Sequence, residues 1–180
     1  MIRQDAELGM AAIMQVAELM CVAAHTAPKT CDVDHLVTAV LSGDDLLRLA
    51  DKMEELGREY EEVYFIVNAR SVRQAAAVVL IGTVTIPHAI KICGQCGMGS
   101  CAGMAKSSAH CAFDDVDLGI AIGSAVSVAA DNRIDNRIMY SAGRAAMELE
   151  ILGKKVINIQ GIPLSVSGKN PFFDIDQNKL

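Results

Sequence analysis

The sequence predicts a single α+β domain over residues 1–180, a small sheet covered by helices and carrying a cysteine-rich loop at 91–112. Three observations predict it. Helix-like and strand-like segments alternate along the chain, with no internal repeat, linker or low-complexity block between them. Apolar residues make up 52% of the chain but aromatics only 4%, and tryptophan is absent, so Met, Ala, Ile, Leu and Val must fill the interior. Such side chains suit helices packed closely on a small sheet. Finally, four of the six cysteines fall between Cys93 and Cys111, which marks one segment as chemically different from the rest.

Taken in order, residues 5–24 are apolar nearly all round, with Glu7 and Glu18 marking a thin solvent face, so this helix should be central. Thr26-Ala27-Pro28 ends it. Ser42 is a candidate N-cap with Asp44 and Asp45 in the first turn, and Leu46, Leu49, Met53, Leu56 and Tyr60 follow at three- and four-residue spacing. This predicts a surface helix. Residues 63–67 (Val-Tyr-Phe-Ile-Val) and 77–82 (Ala-Val-Val-Leu-Ile-Gly) predict two strands joined by a short helical piece. The cysteine loop follows the second. Beyond it the sequence predicts a Gly/Ala/Val-rich helix over about 114–130, a strand near Ile138, a helix over 142–152, a strand over 156–159 and an irregular tail from Pro163.

Composition narrows the function classes. A net charge of −6 and a pI near 5.1 leave no basic surface for phosphates, so no nucleic-acid partner is expected. No membrane span is expected either. Gln15 and Glu18 interrupt the apolar stretch 6–24, and the stretch 118–130 has too few residues for a bilayer, which needs about twenty. The first seven residues show no secretion signal, which makes a reducing cytoplasm the expected compartment.

In that compartment, clustered thiols bind metal or do redox chemistry more often than they form structural disulfides. The spacing Cys93-x2-Cys96-x4-Cys101-x9-Cys111 makes these four residues the candidate ligands. Structural zinc usually pairs two short hairpin motifs far apart in sequence, whereas here one C-x2-C is continued almost at once by two single thiols. That favours an iron–sulfur cluster. Zinc and a bare thiol redox loop remain alternatives. Gly94, Gly97 and Gly99 allow the backbone close approach, so N–H groups can face cluster sulfides. His110 is a substitute ligand to Cys111, which is preferred. Cys21 reads as a small buried hydrophobe, and Cys31 as incidental or structural. His25, His35 and His88 are dispersed and accompany no nucleophile motif, so no catalytic residue is assigned. No phosphate-loop motif occurs.

Several strings carry a resemblance. Cys93-Gly94-Gln95-Cys96-Gly97, the run 117–125 (DLGIAIGSA), Asp135-Asn136-Arg137-Ile138-Met139 and the run 161–174 (GIPLSVSGKNPFFD) together resemble a family of uncharacterised prokaryotic proteins containing a ferredoxin domain. The likeness spans nearly the whole chain. Separately, Cys-Gly-x-Cys-Gly-x3-Cys is similar to small [4Fe–4S] modules of electron-transfer subunits and corrinoid proteins, which implies Cys93, Cys96 and Cys101 as ligands. In those modules the fourth cysteine lies further along than Cys111 does here.

A fold-level resemblance points to the flavin-dependent nitroreductases, through the order helix, Ala27-Pro28, helix, strand, helix, strand, long helix, strand, helix, strand. It implies a nitroreductase-like, mainly antiparallel sheet. It also implies FMN, its phosphate held by basic residues and by the polar run Lys29-Thr30-Cys31-Asp32, with Arg137 and Lys169 as further cations. Solvated surface lysines and a helix-flanking arginine are the plainer reading of those three.

Three functional expectations follow: an electron-transferring [4Fe–4S] protein with a redox partner protein, a zinc-folded interaction module, or a flavin oxidoreductase with the cluster as relay. A homodimer is also expected. Small residues at 119, 121 and 123–125 allow close helix approach while Leu118, Ile120, Ile122, Val126 and Val128 spread apolar surface over more than one face. The tail, with Phe172 and Phe173, would reach across the interface or cover its own core.

Overall fold

The computed structural model describes residues 2–173. Helix α1 (Asp5–Thr26) leads through a short 3-10 turn at 30–32 into strand β1 (Leu36–Leu41). Helices α2 (Gly43–Glu59) and α3 (Val63–Arg73) follow, then β2 (Ala77–Val84), the cysteine loop with the one-turn helix α4 (Cys101–Met104), and α5 (Ala112–Asp131). The chain closes with β3 (Asp135–Asn136), α6 (Tyr140–Glu148) and β4 (Val156–Ser165). The four strands form one antiparallel sheet in the order β1-β2-β4-β3.

Side-chain alternation along the two central strands builds a core on each face of the sheet. Val79, Ile81, Ile162 and Leu164 face α1 and α5, meeting Ile13, Ala17, Met20, Leu118, Ala121 and Ala125. Val78, Leu80 and Ile159 face the opposite way, against Leu49 and Met53 of α2, Phe65 and Val72 of α3, and Ala142 and Ala146 of α6. Between Thr83 and Val84 the register slips, Thr83 pairing with Asn158 but Val84 with Val156. That bulge puts Val156 on the same face as Ile159 despite their odd spacing. Helix α6 lies so close to β4 that a Cβ on Gly143 would overlap the Ile159 carbonyl.

Four expectations need correction. Residues 63–67 are the start of α3, not a strand: Phe65, Asn68, Ala69 and Val72 are buried at helical spacing, and packing against α2 overrides the β-branched, aromatic composition. Strand β1 was not expected; its register places Leu36 opposite Thr83 and Leu41 opposite Val78. The tail is not irregular from Pro163, because β4 continues to Ser165. Gly161 exchanges both backbone bonds with Met139, so by alternation Pro163 turns its missing N–H toward the same, sparsely paired side. The expected strand near Ile138 is reduced to β3 and that single bridge.

Helix α1 is also less enclosed than expected. It is long and apolar enough to cross a membrane by length and composition, with 28% of that window buried. Its inward face is Ile13, Val16, Ala17, Met20 and Ala24, while Leu8, Met10, Leu19 and Val22 remain exposed. On α5, Val116 and Ile120 are likewise exposed.

Candidate metal centre and its surroundings

The end of the sheet where β1 begins and β2 ends meets the first turn of α5, and the polar chemistry of the molecule gathers there. Pairing of β1 with β2 puts residue 35 beside the chain leaving β2, where Val84 N–H donates to the His35 carbonyl at 3.1 Å. The loop 85–111 departs from this corner and returns to it. Its return is fixed by the Cys111 N–H, which donates to Thr85 Oγ1 at 2.9 Å.

All four expected ligand cysteines line one small cavity, together with Met104 and Phe113. All are free thiols; Cys93, Cys96 and Cys101 are half-buried and Cys111 is buried. Local structure explains the arrangement. Gly97 and Gly99 take positive φ, of 80° and 71°, which lets the loop turn sharply between Cys96 and Cys101. Ser100 caps α4 by accepting from Gly103 N–H at 3.1 Å, fixing Cys101 at the first position of that turn. Cys111 is the N-cap residue of α5, so its sulfur sits at the positive end of a 20-residue helix, where negative charge is favoured. His110 is a neighbour of this cavity in sequence only; it does not line it.

A second cluster lies beside the cavity. His35 Nδ1 donates to Asp114 Oδ1 at 2.8 Å, His88 Nε2 to the same oxygen at 3.1 Å, and the Ile86 N–H to Oδ2 at 3.1 Å. The two imidazoles stack, with centroids 5.0 Å apart and planes 27° from parallel. Phe113 lines the cysteine cavity and meets the His88 ring edge-on at 6.4 Å, so the two groups of ligand-type residues share a wall. Sequence reasoning passed over this cluster because residues 35, 88 and 114 have no motif in common. Only the β1–β2 register unites the first two, and Asp114 resembles any acidic residue in a helix's first turn.

One turn on, Asp117 is 6% exposed and accepts from Thr30 N–H at 2.9 Å and from Thr30 Oγ1–H at 3.0 Å. This bears on the residues named for a flavin phosphate. The donors of Thr30 are taken by a carboxylate, and Lys29 Nζ donates to the carbonyls of Ala24 (2.8 Å), His25 (3.0 Å) and Ala27 (2.6 Å), closing the C-terminus of α1. Arg137 donates to the Phe172 carbonyl at 3.0 Å and lies over the Phe173 ring. Thr30, Lys29 and Arg137 are thus engaged within the chain and not set as a phosphate cradle, and Lys29 is a helix cap rather than a solvated surface lysine.

Comparison with known proteins places the chain. A model of the family described as "uncharacterized protein containing a ferredoxin domain" (DUF2148) matches residues 107–175. An uncharacterized protein of Archaeoglobus fulgidus is 39% identical over 166 residues, covering 88% of this chain and 89% of that one. The chain belongs to this ferredoxin-domain family. Of the four loop cysteines, Cys111 lies within the stretch matched by the family model. The fold of this chain is similar to that of nitroreductases. A nitroreductase family protein of Clostridium novyi NT aligns over 92% of this chain and 76% of its own at TM-score 0.56 and 14% identity. A BluB-like flavoprotein of Clostridium difficile aligns over 87% and 81%, at TM-score 0.55 and 17% identity. A protein of Desulfovibrio desulfuricans described as a nitroreductase, in complex with FMN, aligns over 87% and 75%, at TM-score 0.58 and 14% identity.

Proposed function

We propose that the protein is an iron–sulfur redox protein in which Cys93, Cys96, Cys101 and Cys111 hold a [4Fe–4S] cluster. One observation carries the reading: four free thiols, three from a glycine-turned loop and one from the head of α5, line the same cavity. The donor set fits the group. Four thiolates repel one another until cations neutralise them, and soft sulfur ligands select iron–sulfur clusters or zinc. The pattern along the chain favours the cluster, since one C-x2-C is continued almost at once by two single thiols instead of by a second distant hairpin motif.

When bound, such a cluster accepts and releases single electrons. The chain contributes the rest. Met104 and Phe113 shield one side of the cavity from water, and the head of α5 stabilises the added negative charge at Cys111. Half-exposed Cys93, Cys96 and Cys101 leave the other side open to a redox partner protein. Free thiols at all six cysteines accord with a reducing, cytoplasmic setting.

The protein also acts, on this reading, as a homodimer through the exposed apolar faces of α1 and α5. Phe172 adds nothing to it, being fully buried in its own chain's core, and Phe173 stacks with Arg137; position 174 lies outside the described residues. Sedimentation equilibrium tests the dimer, and a species of 19.2 kDa would refute it.

The decisive experiment for the cluster is anaerobic purification with iron, sulfide, zinc and flavin quantified together. Four irons and four sulfides per chain, with a band at about 400 nm bleached by dithionite, is the expected result. A colourless protein with one zinc would replace the reading with a zinc-folded interaction module.

A further inference from the structure

We infer that His35, His88 and Asp114 form a second metal site, for one divalent first-row transition ion held by two imidazole nitrogens and one carboxylate oxygen. The inference does not depend on what fills the cysteine cavity.

The three ligand atoms are His35 Nδ1, His88 Nε2 and Asp114 Oδ1, all within 4.8 Å of one another. They come from three separate places in the chain: the residue before β1, the loop after β2 and the first turn of α5. Burial is nearly complete, with side-chain exposures of 9%, 2% and 0%. Placing a carboxylate and two imidazoles together inside a protein is unfavourable unless they are paired or bind a cation.

The separations are those of ligands around one ion. At metal–ligand bonds of about 2.1 Å, two ligands at right angles stand roughly 3.0 Å apart. Here the nitrogens lie 2.8 and 3.1 Å from the shared oxygen. An ion can therefore enter with little movement. The two hydrogen bonds to Oδ1 are what the site holds without it, and each imidazole turns to the ion the nitrogen that otherwise carries the proton.

The supporting contacts are also those of a metal site. The Ile86 N–H holds Oδ2, so the carboxylate offers one oxygen and keeps its orientation. The near-parallel stacking of the rings, and Phe113 against His88, lock both imidazoles in place. Two nitrogens and one oxygen are the donor set of borderline ions from Mn²⁺ to Zn²⁺, too nitrogen-rich for Ca²⁺ or Mg²⁺ and too hard for Cu⁺. Three protein ligands leave coordination positions open, as sites that take a water or a small ligand do.

The test uses Mn²⁺, whose preference for oxygen and nitrogen over thiolate keeps it out of the cysteine cavity. Anaerobically purified full-length protein is titrated with Mn²⁺, free ion being counted by its six-line EPR signal. One equivalent should bind, and pulsed EPR of the complex should show coupling to two imidazole nitrogens. His35→Gln and His88→Gln should each weaken binding at least about tenfold while leaving far-ultraviolet circular dichroism unchanged. Glutamine keeps an N–H toward Asp114, so the carboxylate stays satisfied in the variants. No uptake of Mn²⁺, uptake without imidazole coupling, or an affinity in either variant equal to that of the unaltered protein would each overturn the site.

Discussion

Strand β2 and the cysteine loop are consecutive in sequence and opposite in how they are held. From Ala77 to Ile81 every side chain of β2 is fully buried, with strands on both sides and helices on both faces. In the loop that follows, Ile92 is 96% exposed and the regular structure is one turn of helix. The sheet is secured by packing that any apolar chain of this pattern would make. The loop buries little, so what holds it is the Cys111–Thr85 bond, the bonds of Ile86 and His88 to Asp114, and whatever its thiolates bind. Scaffold and site are thus separable by experiment.

The largest effect should come from the scaffold. Phe172, with its ring fully buried among the residues on the α2, α3 and α6 face, should cost about 3–5 kcal/mol when changed to Ala, read by urea denaturation. A loss below about 1 kcal/mol would mean that the chain end does not seal that core. Next comes the buried bond between α3 and α6, where Asn68 Nδ2 donates to Ser141 Oγ at 2.8 Å. Asn68→Ala should destabilise by about 1–3 kcal/mol, since Ser141 is left buried without that partner. The double variant with Ser141→Ala should recover part of the loss.

Loop variants should invert the pattern. Cys96→Ser should abolish the visible band while moving the apo protein's unfolding free energy by less than about 0.5 kcal/mol. Stripping the metal from the native protein should release amide protection across 91–110 and leave it intact in β2. Equal loss in both regions would show that the cavity is part of the folding core after all.

Smallest is a surface pair. Burial pushes the Asp34 carboxyl up, but its bond to His25 Nδ1, the Leu36 N–H and the nearby charges of His25 and Lys29 outweigh this and hold it below the usual value of 3.8. A lowered carboxyl contributes stability above its unfolded value and loses it as pH falls through the folded one. His25→Ala should therefore lower stability slightly above about pH 4, where the contribution is present in full, and leave it nearly unchanged at lower pH where the carboxyl is protonated, the loss staying small because both side chains are partly exposed.

Legibility in the sequence followed the same division. Helix α5, strand β2 and the four cysteines could be read because their signals are local: apolar runs of definite length and thiols at short spacing. Strand β1 could not, since at the sheet edge Leu36 and Leu41 are buried and the four residues between are half-exposed, leaving no period of two. Residues 63–67 carried a true β signal that packing against Gly57 and α6 overruled. The histidine–aspartate cluster was illegible for a different reason. Residues 35 and 88 become neighbours through register, and register is a property of two strands rather than of either one.

The bond between Asp117 and Thr30 has a consequence for how the fold closes. In a flavoprotein whose polar turn after the first helix closes on a phosphate, that turn is complete only once the cofactor has been delivered. Here the counter-anion is supplied by the polypeptide itself, in a helix 87 residues further on. The junction between the N-terminal segment and the second half of the chain is thereby closed with the chain's own groups.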